Sequence, residues 1–320
     1  MTKNYLSVLA LIFLFNYFFS MNIYSSENTK ISIELGVSNT GKQSSKWIKA
    51  IEDRQPQEKI KAIQKELTPL TKEEKIWLEL FKEVVPEWNN ERASLNSPFD
   101  IKNYPEHLTI LFGNNGGNDG FSFNNNTICC DLSSWTTTYD TPQTKNLKES
   151  KDRIKHILSH EYTHILTHLW LKQHPYKADT PLKRALFQCW LEGLGNYYSF
   201  SSSWYSTPKT LSPKAFKILK QLQPIFVDRL VKISKTENRE KEEELMEGLS
   251  KASFTKKWGA VPVALWLRLE TKCNNKKLTP WIKKGPDGIL LLAEKYLPSK
   301  EKEELLKDKE IKKMITSQSI

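Results

Sequence analysis

The chain has 320 residues, enough for one large domain or two ordinary ones with a substantial core. Ten Trp and eleven Tyr within a 38% hydrophobic composition exclude a disordered chain, because aromatics supply burial. The formal net charge is +11, but lysines are interleaved with glutamates along helix-like segments and form no single basic stripe. The excess reads as a solvated lysine-rich surface, and no nucleic-acid partner is expected.

Residues 1–26 differ in kind from the rest. Lys3 precedes a run from Leu6 to Phe19 that is apolar except for Ser7 and Asn16. The run is short for a membrane span of about 20 residues and resembles the apolar core of a secretory signal. An uncleaved membrane tether through residues 5–19 is the alternative. Either way the remainder is expected to be exported. Residues 27–45 read as a poorly specified leader carrying Ile31, Ile33 and Leu35. Lys46 to Leu67 suits an amphipathic helix broken near Pro56. Thr71 with Glu74 three residues on forms a capping box for a helix expected to end near Pro86.

The pattern then changes. His107 to Phe112 alternates and reads as a strand, Gly113 to Gly120 as a loop, and Phe121–Phe123 and Thr127–Leu132 as short strands. A small antiparallel sheet is expected there. Four cysteines, Cys129, Cys130, Cys189 and Cys273, allow three complete pairings, and the sequence does not choose among them. Adjacent Cys129 and Cys130 point to opposite faces of a strand, and no C-x-x-C occurs.

A long helix is expected from about Lys151 to Gln173, capped by Ser150 or Asn146 and stopped by Pro175. Its centre reads His160-Glu161-Tyr162-Thr163-His164. Histidines four apart sit one turn above each other, so both imidazoles reach one metal ion, and the intervening glutamate can act on a water there. Apolar residues flank this pair on both sides, so the helix is buried, and two buried imidazoles need partners. Thr180-Pro181 opens a second helix running to about Phe200. One of its faces is small or polar: Ala185, Gln188, Cys189, Glu192, Gly195, Asn196 and Ser199. Gly193 and Gly195 each cost about 1 kcal/mol against Ala inside a helix, which points to close approach of a neighbour. Further helices follow: one opened by Ser212-Pro213 and broken or kinked at Pro224, Glu237–Leu249, Ala260–Leu269, Pro280–Leu297 and Ser299–Met314.

The helix pair resembles the gluzincin zinc metallopeptidases, over roughly Ile154 to Ser199. It looks closest to the uncharacterised families of expected Zn-dependent proteases that share H-E-x-x-H and a later E-G-x-x motif. The resemblance implies one Zn2+ per chain held by His160, His164 and Glu192, with Glu161 as general base. Zinc's fourth position stays open for water, the catalytic arrangement. Asn196 stands where thermolysin-like members have an aspartate that holds a ligand histidine, and it is carried over as a supporting residue with His168. The separation of Glu192 from His164 is longer than in thermolysin-like members, and the loop His174–Thr180 absorbs the difference. A metzincin pattern fails, since glycine and histidine would be needed where Thr167 and Trp170 stand. His168 lies about 12 Å along the axis from His160, too far to share an ion. Tyr197 and Tyr198 are candidates by position for stabilising an oxyanion, and the Thr127–Leu132 strand for pairing with an extended peptide.

The expected fold is therefore α+β and mainly α, with a small antiparallel sheet packed on an active-site helix pair and a helical C-terminal region, zincin-like. The expected divisions are 1–26, an N-terminal helical region 27–100, a catalytic core 101–205 and a C-terminal region 206–320. The expected activity is hydrolysis of a peptide or protein substrate. A non-catalytic binding protein of the cell envelope with the same fold is the alternative.

Overall fold

The computed structural model describes residues 21–24, 29–207, 210–251 and 253–318. The fold is α+β and mainly helical, with a small mixed sheet and a separate two-stranded ribbon. The apolar run Leu6–Phe19 lies outside the described residues. Among the described ones, no helix is long and apolar enough to cross a membrane.

The described chain forms two compact units. The first takes the residues up to Pro86 together with Pro105–Lys145. Its centre is a five-stranded sheet of β1 (Met21–Tyr24), β2 (Lys30–Leu35), β3 (His107–Gly113), β4 (Gly120–Phe123) and β5 (Thr127–Asp131), in the order β1-β2-β3-β5-β4. The inner pairs β2–β3 and β3–β5 are parallel and the outer ones antiparallel, so the sheet is mixed rather than antiparallel as expected. Ile31 and Ile33 are buried opposite Leu108 and Ile110, so the expected leader is a core strand. Its three apolar residues alternate, which is the period of a strand with one buried face.

Helices α1 (Ser45–Glu52) and α2 (Gln57–Lys65) cover one face through Trp47, Ile48, Ile51, Ile60 and Ile63 against Leu111, Phe121 and Cys129. Pro56 caps α2, so the expected break is present. On the other face, Phe81 of α3 (Lys72–Asn96) meets Phe112 at 4.9 Å and Trp135 of α4 (Leu132–Thr138) at 4.8 Å. The capping box holds: Thr71 N–H donates to Glu74 Oε2 at 2.7 Å, and Glu74 N–H to Thr71 Oγ1 at 3.1 Å. Strand β5 is paired on both sides and so cannot offer an edge to a peptide, contrary to expectation. Buried Asp131 ends it and opens α4, accepting from the Ser133 N–H at 3.1 Å and from the Ser133 and Ser134 hydroxyls.

The second unit comprises Glu87–Tyr104 and the chain from Asn146 onward. Helix α3 does not end at Pro86 but continues to Asn96. Proline removes one backbone bond, at a cost of about 3 kcal/mol. The burial of Trp88 and Arg92 just beyond it outweighs that loss. Their partners are on α5 (Leu147–Gln173): the Trp88 indole donates to Ser159 Oγ at 2.9 Å, and Arg92 donates to the Tyr162 hydroxyl at 2.6 Å.

Helix α6 (Pro181–Ser199) is capped by Thr180, whose hydroxyl accepts from Lys183 N–H. It lies between α5 and α9 (Ala260–Thr271), a helix apolar nearly all round and buried accordingly. A ribbon, β6 (Tyr205–Thr207) with β7 (Thr210–Leu211), leads to α7 (Pro213–Ser234), which runs unbroken through Pro224. After α8 (Arg239–Met246) and α9 come four short helices: α10 (Thr279–Lys284), α11 (Gly288–Tyr296), α12 (Ser299–Leu306) and α13 (Lys309–Gln318). The two long C-terminal helices expected from periodicity are thus each divided. Gly285, at φ +65°, with Pro286 makes the first break. Asp308 makes the second, accepting from the N–H groups of Glu310 and Ile311.

Candidate metal centre

Burial of α5 is set by Ile154, Leu158, Ile165 and Leu166, which bring the histidine side of the helix against α6. The spacing of four then stacks the two rings, with centroids 4.6 Å apart and planes at 84°. Their Nε2 atoms converge to 3.0 Å. The ligand atoms of His160, Glu161 and His164 all lie within 4.8 Å of one another, so this group could hold a metal ion. Across the gap, Glu192 of α6 places Oε2 at 3.7 Å from His160 Nε2 and Oε1 at 3.9 Å from His164 Nε2. The structure therefore brings together all four residues expected at the centre. Glu161 Oε1 is 3.9 Å from His160 Nε2, and its side chain is only 8% exposed.

The donor set fits a tetrahedral cation. Zinc–nitrogen bonds of about 2.0–2.1 Å at a tetrahedral angle separate two nitrogens by about 3.3 Å, close to the 3.0 Å found. The protonation state fits as well. Burial pushes the His160 imidazole down to about 3, helped by the charge of Lys257 and opposed by the Gly195 carbonyl, so the ring is the neutral form that a metal requires. Its other nitrogen, Nδ1, lies 2.9 Å from Ser199 Oγ, whose hydroxyl donates to the Gly195 carbonyl at 3.3 Å. The hydroxyl thus accepts from Nδ1–H and leaves the Nε2 lone pair facing the site.

Both glycines of α6 mark close approach. A Cβ on Gly195 would stand 2.8 Å from His160 Cε1, and one on Gly193 would stand 2.4 Å from Val263 Cγ1 of α9. The first is where the His160 ring lies against α6 and the second a helix crossing.

The supporting residues are arranged differently from the expectation. Asn196 is buried, and its amide donates to the Glu192 backbone carbonyl at 2.8 Å; the group that meets His160 Nδ1 is Ser199. His168 is exposed one turn beyond His164. The Tyr197 hydroxyl is fully buried and bonded to Thr271 Oγ1 at 2.8 Å, which takes it out of the oxyanion role. Tyr198 packs its ring against Tyr197 at 4.8 Å, and its hydroxyl is buried without a hydrogen bond. Sequence reasoning missed Ser199 as the group that orients His160, although its place on the small polar face was the available signal.

Comparison with known protein families, with curated proteins and with solved structures finds no match. The centre is accordingly read from its own geometry.

Proposed function

We propose that the chain is an exported zinc-dependent peptidase of gluzincin type, hydrolysing peptide bonds at the His160, His164 and Glu192 centre. One observation carries the reading. Two imidazole Nε2 atoms from successive turns of one helix converge to 3.0 Å, and a carboxylate from the neighbouring helix faces both. Two histidines and a carboxylate are the protein ligands of a catalytic zinc site with one open position. Zinc held there supplies Lewis acidity, polarising a scissile carbonyl and acidifying a water.

The chain's own groups supply the rest. Glu161, nearly buried beside His160, accepts the proton of the attacking water and delivers it to the departing amine. Ser199 keeps the His160 ring turned toward the site, and Asn196 ties down the backbone at Glu192. Export is supported by Lys3 and the apolar run Leu6–Phe19.

The test is zinc quantification beside digestion of a peptide library. Wild type is expected to hold one zinc per chain and to cleave. Glu161→Gln should retain the zinc and lose about 10²–10⁴-fold in rate. Glu192→Ala should lose zinc affinity. Full zinc binding without Glu192, or undiminished cleavage without Glu161, sinks the assignment.

A further inference from the structure

Asn89, Arg92 and Asn96 follow one another at spacings of three and four, so they share one face of α3 beyond Pro86. All three are buried: Arg92 is 0% exposed, Asn89 1% and Asn96 9%. Arg92 Nε donates to Asn89 Oδ1 at 3.1 Å, and Nη1 donates to the Tyr162 hydroxyl at 2.6 Å. The guanidinium carbon lies 5.0 Å from the centroid of the same Tyr162 ring, whose hydroxyl donates onward to Asn96 Oδ1 at 2.9 Å. Two donors are left over. Arg92 Nη2 and Asn89 Nδ2 are buried with no hydrogen-bond partner among the described residues. Nε and Nη2 share one edge of a guanidinium, and Asn89 engages only the Nε end of it. The spare donors therefore sit on neighbouring groups.

The charge is not balanced either. A guanidinium stays protonated even when buried, and Asn89, Asn96 and the Tyr162 phenol offer only dipoles. The acids of segment 87–104 are turned elsewhere: Glu87 and Glu91 meet Lys155 at 3.3 and 2.7 Å, and Asp100 meets Lys283 at 3.6 Å. Glu161, next to Tyr162 in the chain, places Oε1 3.9 Å from His160 Nε2. Arginine is almost never fully buried unless paired, because the lost hydration of the charge must be replaced. A water could accept from both spare donors, but it would leave the charge uncancelled.

We propose that Arg92 and Asn89 hold a small monovalent anion of the chloride type, which accepts from Nη2 and Nδ2 and cancels the guanidinium charge. The burial of both side chains favours a single halide over phosphate or sulfate, whose further oxygens would need donors of their own. None of the proposed metal ligands takes part, so the site stands whether or not the neighbouring centre holds zinc. An anion bound only by the folded chain stabilises it by mass action.

The test is unfolding of the full chain in urea, kept metal-free with EDTA so that no halide is held by zinc. Sodium chloride replaces sodium gluconate at constant ionic strength. From chloride-free buffer to about 100 mM chloride the unfolding constant should fall at least about tenfold along a single-site curve, and bromide should act alike. Asn89→Asp brings its own carboxylate to the guanidinium edge, so its chloride response should shrink to within about twofold and its stability in gluconate should exceed that of wild type. Arg92→Met removes the charge itself and should be equally indifferent to chloride. Because each response is a ratio within one protein, a general loss of stability in a variant cancels. Wild-type crystals grown in bromide should show, by anomalous scattering, one bromide against Arg92 Nη2 and Asn89 Nδ2, and this decides the matter even if both variants fail to fold. A wild-type unfolding constant indifferent to halide, a full response that survives Asn89→Asp, or a water at these donors in the bromide crystals overturns the proposal.

Discussion

Replacing Gly195 with alanine separates the metal centre from the stability of the helix that carries it. The added Cβ would stand 2.8 Å from His160 Cε1, 2.9 Å from Nε2 and 3.0 Å from Nδ1. Ordinary contact begins at 3.4 Å, so the ring must retreat by about 0.6 Å or the helices must part. For folding the two effects oppose each other. Alanine gains about 1 kcal/mol inside a helix, and overpacking costs about 1–3 kcal/mol. The net expectation is a destabilisation of about 0–2 kcal/mol. Zinc binding has no such compensation if, as proposed, the displaced ring is one that holds the ion. Disturbing groups that orient a metal-bound histidine weakens binding about 10–100-fold, and Gly195→Ala should fall in that range. Gly193→Ala is the control: its Cβ would stand 2.4 Å from Val263 Cγ1, so it strains the α6–α9 crossing at similar cost to folding. Its zinc affinity should stay close to that of wild type. Zinc dissociation constants by chelator competition and urea midpoints supply the two readouts. Wild-type zinc affinity in Gly195→Ala, or an equal loss in Gly193→Ala, would refute the reasoning.

Two further outcomes follow from the same unit. Ser199→Ala removes the acceptor at His160 Nδ1; zinc affinity by chelator competition should drop about 10–100-fold, while the urea midpoint reports a stability change of only about 1 kcal/mol. The Arg184–Glu242 pair, with Nε–Oε1 and Nη2–Oε2 both at 2.6 Å, should give a pH-dependent stability. The Arg184 guanidinium holds the Glu242 carboxyl below its usual value. The stabilisation is therefore complete above about pH 4.3 and is lost as pH falls through the lower folded value. Glu242→Gln should cost about 2–3 kcal/mol at neutral pH, reduced from the fully buried range of about 3–5 because Arg184 is partly exposed. Urea midpoints of the two proteins should converge as pH drops toward 3, and a difference that stays constant would show that the charge of the pair is not its cause.

The parts of the fold that were legible in the sequence are those encoded locally. Thr71 with Glu74, Thr180 with Pro181 and Ser212 with Pro213 each satisfy backbone donors within a few residues, and each cap is present. The His160–His164 spacing and the small residues facing it were equally readable, because a helix converts sequence separation directly into a shared face. What was missed depends on partners distant in the chain. Strand β2 looked like a leader because three alternating residues gain meaning only when β3 lies alongside. Helix α3 passes Pro86 because Trp88 and Arg92 find Ser159 and Tyr162 about seventy residues later. The parallel pairing of β2, β3 and β5 leaves no local trace, since strand alternation is the same for either direction. At the centre itself, the role of Ser199 depends on which way the His160 ring turns, and that is fixed only when the two helices meet.

The buried guanidinium of Arg92 has a mechanical corollary. Its Nη1 donates to the phenol of Tyr162, which also donates to Asn96, and Tyr162 sits between Glu161 and His164 in the sequence. Stripped of water, such a charge is tolerable only while phenol and amide stay in place. The turn bearing His160 and His164 and the segment 87–104 should therefore loosen or tighten as one body. Occupancy of the metal centre should be legible as slowed amide exchange in a stretch that contributes no ligand.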